Sequence, residues 1–232
     1  ESRGLGDVYK RQPKHFVANN EEYRRHSGSS EVPMKILRDY YLPAFKSSIV
    51  DAGAQSIMTA YNALNGIPCT ANTFLLQDIL RNEWQFPGWV VTDCGAIYDI
   101  HVNHKYVDDP VQAVALSLRA GTDLNCGSYF RLHLKDAFDQ GLVTMEDIDQ
   151  ALLRIFVTRI KLGVFDPPSM NPYSKISKDV VDSKHHQELA HEIALQSIVL
   201  LKNENDILPL QKNIKSVAAV SYTHLTLPTR LM

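Results

Sequence analysis

The sequence predicts an α/β fold of parallel βα units, because strand-like and helix-like stretches alternate along it. Two apolar runs, residues 56–61 and 89–93, are typical of buried strands, and an amphipathic helix is predicted between them over residues 72–80. The same order returns with a helix over residues 111–120 and a short strand over residues 122–124. Because each strand is followed by a helix, neighbouring strands are expected to run parallel.

Capping residues set the predicted helix boundaries. Asn72 or Thr73 begins the first helix, and Asp109 followed by Pro110 begins the second, since proline suits a first helical position. Gly121 is expected to end that second helix.

A later helix begins with a predicted capping box, formed by Thr144 and Asp147, and ends at Gly163. An apolar stripe recurs along it at helical spacing, and this stripe is predicted to be core. Its members are Ile148, Leu152, Phe156 and Ile160.

The chain changes character after residue 165. Residues 166–172 are proline-rich, which indicates a linker, and a domain boundary is expected between residues 166 and 180. A helix over roughly residues 185–201 and a strand candidate over residues 216–220 follow. They are predicted to open a second α/β domain.

Composition excludes several classes of function. The 232 residues are 44% hydrophobic and carry a net charge of −2, so neither nucleic acid nor a membrane surface is an expected partner. No apolar run reaches the roughly 18 residues that span a bilayer. The three cysteines match no zinc-binding spacing, and no metal site is predicted.

Asp93 is the most informative residue, because it ends the apolar run of residues 89–93 and precedes Cys94 and Gly95. Parallel α/β barrels place catalytic groups at the carboxyl ends of their strands. A carboxylate there can attack an anomeric carbon and form a glycosyl ester that water later hydrolyses. The alternative is an aspartate that caps a helix or accepts hydrogen bonds in a turn.

Three segments together resemble glycoside hydrolase family 3: KHFVANNEEYRR at residues 14–25, MTAYNALNG at 58–66 and VTDCG at 91–95. They occur in the order of the family, and the similarity extends from about Lys14 to Val220. The resemblance implies a partial (β/α)8 barrel followed by the start of an α/β sandwich. It assigns residues 13–165 to the C-terminal part of the barrel, 166–184 to a linker and 185–220 to the sandwich.

The same resemblance implies a retaining, exo-acting β-glycosidase of the β-glucosidase or β-xylosidase type. Asp93 matches the nucleophile, Lys14 and His15 match a pair that hydrogen-bonds the sugar, Arg25 matches an arginine of that subsite and Tyr61 a tyrosine beside the nucleophile. Such side chains suit sugars, because lysine and arginine donate hydrogen bonds and histidine can donate or accept. A tyrosine hydroxyl can orient a carboxylate.

Each assignment has a structural alternative. Lys14 and Arg25 could be ordinary solvated charges, His15 a hydrogen-bonded core histidine and Tyr61 a packing residue. Three asparagines are more typical of loop scaffolding than of substrate contacts. They are Asn19, Asn20 and Asn65.

Two departures from the family pattern bear on the substrate. Many members carry a tryptophan after the nucleophile, whereas this chain has Cys94, as in the β-xylosidase-like branch, so glucose is not favoured over xylose. Val17 to Asn19 replace the Pro-Gly-His-Gly segment of the branch that cleaves N-acetylhexosaminides, which makes that substrate class unexpected.

Cys94 and Cys126 both follow strand ends, where they could form a disulfide or remain free thiols. Asp123, at another strand end, could support a polar network and is left out of the catalytic set.

Retaining hydrolysis needs a second carboxyl about 5 Å from the first. The family supplies it as a glutamate of the second domain, so no residue of this chain is assigned as acid/base. The expected substrate is a β-linked oligosaccharide or an aryl or alkyl β-glycoside, with no cofactor and no predicted oligomeric state. Two alternative functions stay open, a non-enzymatic sugar-binding fragment and a phosphorylase of the same family. Full-length relatives are often exported to the periplasm or outside the cell, and the same location is expected for a bacterial parent protein.

The two ends differ from the family and resemble translated sequencing adapters. These are RGLGDVYKRQ at residues 3–12 and SYTHLTLPT at residues 221–229, so residues 1–12 and 221–232 are predicted to be non-native tails. We expect resequencing of the locus to show a longer continuous reading frame without these strings. A native stop codon directly after Met232 would contradict this expectation.

Overall fold

The computed structural model describes residues 12–216, which belong to two compact units, one ending at Asn171 and one beginning at Pro172. The division lies inside the predicted linker of residues 166–184. Residues 1–11 and 217–232 lie outside the described residues, and with them nearly all of both adapter-like tails and of the strand candidate at residues 216–220. The domain assignments stay predictions.

The strands of the described part are short. They are β1 (Ser29–Ser30), β2 (Ser56–Met58), β3 (Ala63–Leu64), β4 (Ile67–Pro68) and β5 (Trp89–Val91). The longer α-helices are α1 (Ala96–Val102), α2 (Pro110–Ala120), α3 (Tyr129–Asp139), α4 (Met145–Lys161) and α5 (Lys184–Ser197). Helical turns over Met34–Ile36, Leu37–Tyr41, Leu42–Lys46 and Ser47–Asp51 follow one another, and a further helical segment spans Phe74–Glu83. Single helical turns occur at Cys69–Ala71, Pro168–Met170, Pro172–Lys175, Lys178–Val180 and Glu204–Asp206.

Four segments of the first unit lie side by side and run parallel. Phe16 bridges to Thr59, β2 pairs with β5, and Val91 bridges to Leu124. Gly88 precedes β5 at a point where a Cβ atom would lie 2.2 Å from the carbonyl oxygen of Gln55, so only glycine permits this pairing. The parallel order confirms the predicted α/β class. The regular strands are shorter than predicted, and residues 122–124 contribute a bridge instead of a strand.

A second, smaller sheet has the order β1-β3-β4, and β3 and β4 form a hairpin. Asn65 and Gly66 form its turn with φ angles of 49° and 83°, the left-handed geometry that Asn-Gly suits. The Asn65 side chain also accepts a hydrogen bond from the Val32 N–H (2.7 Å) and donates one to the Val32 carbonyl (3.0 Å). Asn65 therefore has the scaffolding role that its residue type predicts.

The helix boundaries follow the predicted caps. The Asp109 carboxylate accepts the N–H groups of Val111 and Gln112 before α2, and Gly121 ends that helix with φ 116°. Thr144 and Asp147 form the predicted capping box of α4. The Asn72 side chain accepts the N–H of Leu75 at the start of the helical segment Phe74–Glu83. These predictions are confirmed.

The predicted core stripe of α4 is wrong. Ile148 packs against the core, but Leu152, Phe156 and Ile160 are 44%, 40% and 63% exposed. The buried face instead carries Ala151 and Thr158, and Arg154 lies between them. Arg154 donates a hydrogen bond to the buried Asp123. This ion pair requires that the α4 face with Arg154 points toward the interior of the first unit.

Asp123 is the centre of a buried ionic network. Its side chain is 1% exposed and accepts hydrogen bonds from Arg81 (2.9 Å), Arg154 (2.8 Å) and the N–H of Val90 (2.7 Å). Burial raises the pKa of the Asp123 carboxyl against the opposing effect of both guanidinium groups, and it lowers the pKa of Arg81 to about 10. The network ties the helical segment Phe74–Glu83, β5 and α4 together.

The second unit contains α5, which begins at the predicted position because Ser183 caps it through the His186 N–H. The helix ends at Ser197, earlier than predicted, and Ile198 is extended with φ −72° and ψ 126°. Ile198, Val199 and the leucines that follow form an apolar run in which β-branched residues favour extended backbone.

We expect Asp123→Asn to lower the free energy of unfolding by about 3–5 kcal/mol, because it leaves two partly buried arginines without a counter-charge. Arg154→Met should have a smaller effect, since Arg81 still pairs with Asp123. Guanidinium denaturation of the purified chain followed by circular dichroism measures both changes. The exposed pair of Lys135 and Asp139 provides a control, and Lys135→Met should leave the unfolding midpoint unchanged. Equal midpoints for Asp123→Asn and the unsubstituted chain would contradict the structural role of the network.

Candidate active site

Asp93 lies two residues beyond the end of β5, at the carboxyl end of the parallel strands. One carboxylate oxygen accepts the N–H of Cys94 (2.7 Å), and the other lies 3.3 Å from Nε2 of His15. The Asp93 side chain is 14% exposed, so it is partly accessible to solvent. Gly95, with φ 87°, is the N-cap of α1. Asp93 thus accepts one backbone N–H in the turn before α1 and contacts His15 with its other carboxylate oxygen.

Lys14 and His15 precede the Phe16 bridge and line a cavity of about 330 Å³. Lys14 is exposed, whereas the His15 side chain is 33% exposed and contacts Asp93. Asn19 and Asn20 also line this cavity. Among the described residues, the buried side-chain amide atoms of Asn19 find no hydrogen-bond partner. The Asn19 amide is therefore buried beside the cavity without a hydrogen bond, whereas the Asn65 amide is used as scaffold.

Tyr61 is buried beside the nucleophile candidate. Its hydroxyl donates a hydrogen bond to the Cys94 carbonyl (2.9 Å), and burial together with the Asp93 carboxylate raises the pKa of the hydroxyl. The Tyr61 hydroxyl thus stays protonated and can donate a hydrogen bond. The guanidinium of Arg25 lies over the Tyr61 ring, 4.9 Å from its centre, and pairs with Glu22 (2.7 Å). Both side chains therefore border the Asp93 region.

Three further polar residues surround Tyr61. The Nδ1 of His26 donates to the buried Asp99 carboxylate (2.7 Å), and the His26 ring lies 4.3 Å from the Tyr61 ring. The Nε2 of His104 donates to the Tyr61 carbonyl (2.8 Å). No motif in the sequence indicated these three residues. The sequence could have indicated Asp99, because it lies three residues after Ala96 and next to Ile100, both of which are buried. A carboxylate among buried residues of a helix requires a hydrogen-bond partner.

Cys94 and Cys126 form a disulfide with Cα atoms 4.4 Å apart, which decides between the two states that the sequence left open. Hydrogen bonds align the same two loops. The Gly95 N–H donates to the Cys126 carbonyl (2.8 Å), and the Cys126 N–H donates to the Thr92 hydroxyl (3.0 Å). The residue next to Asp93 is therefore fixed to the neighbouring strand end. Cys69 is a buried free cysteine.

The arrangement joins a partly open carboxylate to a histidine, a protonated tyrosine and cationic side chains, a combination suited to neutral polyhydroxylated ligands. Residues 8–158 match the model of the glycosyl hydrolase family 3 N-terminal domain, which covers more than half of the chain. The chain belongs to this family. Its α/β fold agrees with this membership, and the family resemblance found in the sequence is confirmed.

Similar proteins include β-xylosidases and β-glucosidases. A "probable exo-1,4-beta-xylosidase" of Aspergillus clavatus is 45% identical over 205 residues, which cover 85% of this chain and 26% of that protein. The solved structure of an exo-β-xylosidase in complex with a xylobiose aziridine probe has a TM-score of 0.75 at 37% identity. The matched region covers 88% of this chain and 27% of the xylosidase chain. A Listeria innocua β-glucosidase in complex with isofagomine has a TM-score of 0.72 at 28% identity, covering 90% and 30%.

The chain thus spans about a quarter of the length of the relatives named here. Within the described residues, no cluster of three or more histidine, cysteine, aspartate or glutamate side chains could hold a metal ion. Over the same residues, no helix combines the length and apolarity needed to cross a bilayer.

We expect thiol titration to report the disulfide directly. In denaturant without reductant, one thiol should react, and three should react after reduction. In the folded chain near pH 8, Cys69 should be unreactive, because burial removes access and raises the pKa of its thiol to about 12. Ellman's reagent measures each count. Three reactive thiols in denaturant without reductant would contradict the Cys94–Cys126 pairing.

Proposed function

We propose that this chain is the nucleophile-bearing part of a retaining, exo-acting β-glycosidase that removes terminal β-D-xylosyl or β-D-glucosyl residues. The observation that carries the proposal is the Asp93 carboxylate, which lies at a parallel strand end, 3.3 Å from His15, with a partly exposed side chain. The family membership supports a glycosidase over a simple sugar-binding module. A binding module has no need for a carboxylate presented in this way.

In the proposed reaction, one Asp93 oxygen attacks the anomeric carbon as the bond to the leaving oxygen breaks. A second carboxyl, which the family supplies outside this chain, protonates that oxygen and then removes a proton from water. The water oxygen bonds to the anomeric carbon and releases Asp93 as a carboxylate. Two inversions leave the product with the β configuration of the substrate.

The neighbouring side chains support this role through hydrogen bonding. Lys14 and His15 line one cavity, and His15 also contacts Asp93, so both would donate hydrogen bonds to sugar hydroxyls, as Arg25 would from the Tyr61 side. Tyr61 keeps its proton and holds the loop that follows the nucleophile through the Cys94 carbonyl. Hydrogen bonds to a sugar hydroxyl that strengthen in the transition state raise the rate of the chemical step.

The sugar is the finer part of the proposal. The Aspergillus relative is named an exo-1,4-β-xylosidase and the Listeria protein a β-glucosidase, so the family membership alone allows both sugars. The higher identity to the β-xylosidases and the cysteine at position 94 favour a terminal xylosyl residue. Cys94, which pairs with Cys126, stands at the sequence position where the resemblance implies a tryptophan in many members.

The test is covalent trapping in the full-length gene product. We expect a 2-fluoro-xylosyl inactivator to label Asp93, identified by mass spectrometry of the labelled peptide, and to react faster than its 2-fluoro-glucosyl counterpart. Asp93→Asn should lower kcat by at least about 1,000-fold, because no covalent intermediate can form.

Asp136 is an exposed aspartate on α3, and Asp136→Asn is the matched control that should keep full activity. An active enzyme labelled at another residue, or one that turns over without ever being labelled, would contradict the assignment of Asp93. Faster labelling by the glucosyl reagent would contradict only the preference for xylose.

A further inference from the structure

The loop that carries Arg25 is fastened to the helix that follows the nucleophile. His26, the next residue, donates from Nδ1 to the Asp99 carboxylate at 2.7 Å, and Asp99 lies on α1. The Asp99 side chain is 4% exposed, while that of His26 is 47% exposed. Asn103 donates to the other Asp99 oxygen, so the carboxylate is held from two sides. The bond joins residues that are 73 positions apart in the sequence.

The same histidine also contacts Tyr61. Its ring centre lies 4.3 Å from that of Tyr61, and the guanidinium of Arg25 lies over the same phenol ring at 4.9 Å. Tyr61 reaches the nucleophile loop through its hydroxyl, which donates to the Cys94 carbonyl. His26 is therefore placed between a fixed carboxylate on α1 and two side chains of the candidate subsite.

We propose that His26 is a positioning residue, which acts through its hydrogen bond to Asp99 to hold Arg25 and Tyr61 against the Asp93 loop. This inference rests on the proposed glycosidase function. His26 itself need not touch the sugar. A loop whose register depends on one buried anchor loses its geometry when the anchor is removed, and a misplacement of about 1 Å can lower a rate by about 100-fold.

Two substitutions separate the hydrogen bond from the ring contact. His26→Asn keeps a donor at the position of Nδ1 but removes most of the ring, whereas His26→Phe keeps the ring against Tyr61 but removes the donor. His133 offers a matched control, because it is also a half-buried histidine beside a tyrosine ring, 5.1 Å from Tyr129. His133→Phe should behave like the unsubstituted enzyme.

The measurement uses the full-length enzyme and a 2-fluoro-xylosyl inactivator, with active sites counted by the label. We expect His26→Phe to lower the first-order rate of glycosylation by about 10- to 100-fold with little change in the binding constant of the reagent. His26→Asn should stay within about threefold of the unsubstituted enzyme. A merely structural role would lower the melting temperature but leave the rate per counted site unchanged.

Each other result overturns a distinct claim. An unchanged glycosylation rate in His26→Phe would overturn the positioning role while leaving the glycosidase proposal intact. A larger loss in His26→Asn than in His26→Phe would assign the effect to the ring contact and overturn the role of the Asp99 bond. An unsubstituted enzyme that is neither labelled nor active would overturn the glycosidase proposal, and the role of His26 would fall with it.

Discussion

The buried carboxylate of Asp123 is the constraint on which the geometry of the first unit depends. A charge that is 1% exposed is tolerated only when its partners are complete, and here two arginines and one backbone N–H supply them. The N–H that it binds belongs to Val90, in the centre of β5. Because the Asp123 N–H also donates to the Val90 carbonyl at 2.8 Å, one residue fixes the register of β5 against the next segment.

That register determines where Asp93 lies. Beyond Val90, the Thr92 N–H donates to the Leu124 carbonyl, and the Thr92 hydroxyl receives the Cys126 N–H. The disulfide then joins Cys94 to Cys126, directly after Asp93. A chain of backbone bonds thus leads from a buried ionic anchor to a partly open carboxylate, which is how a rigid strand end can hold a reactive group on a short loop.

The sequence predicted those features that depend on local chemistry. Caps at Asp109 and Thr144 and the glycine after α2 set boundaries through hydrogen bonds between near neighbours, and these were correct. Asp93 was found because the end of an apolar strand is visible in the sequence, although its catalytic role stays a proposal. The core stripe of α4 failed because periodicity identifies an apolar face but not its orientation, which a distant ion pair between Arg154 and Asp123 decides.

The contacts around Tyr61 could not be predicted for the same reason. His26 and Asp99 are 73 positions apart, and only the fold brings a loop histidine to a buried helix carboxylate. The disulfide was undecided in the sequence, because pairing needs a Cα distance that residue spacing does not give.

Asp93 is the proposed nucleophile that bonds to the sugar. A crystal structure of the full-length enzyme trapped with a 2-fluoro-xylosyl inactivator tests this assignment most directly. We predict continuous density between an Asp93 carboxylate oxygen and the anomeric carbon, with Lys14 and His15 within hydrogen-bonding distance of the sugar hydroxyls. A sugar bonded to another side chain, or one bound with Asp93 facing away from the anomeric carbon, would contradict the account.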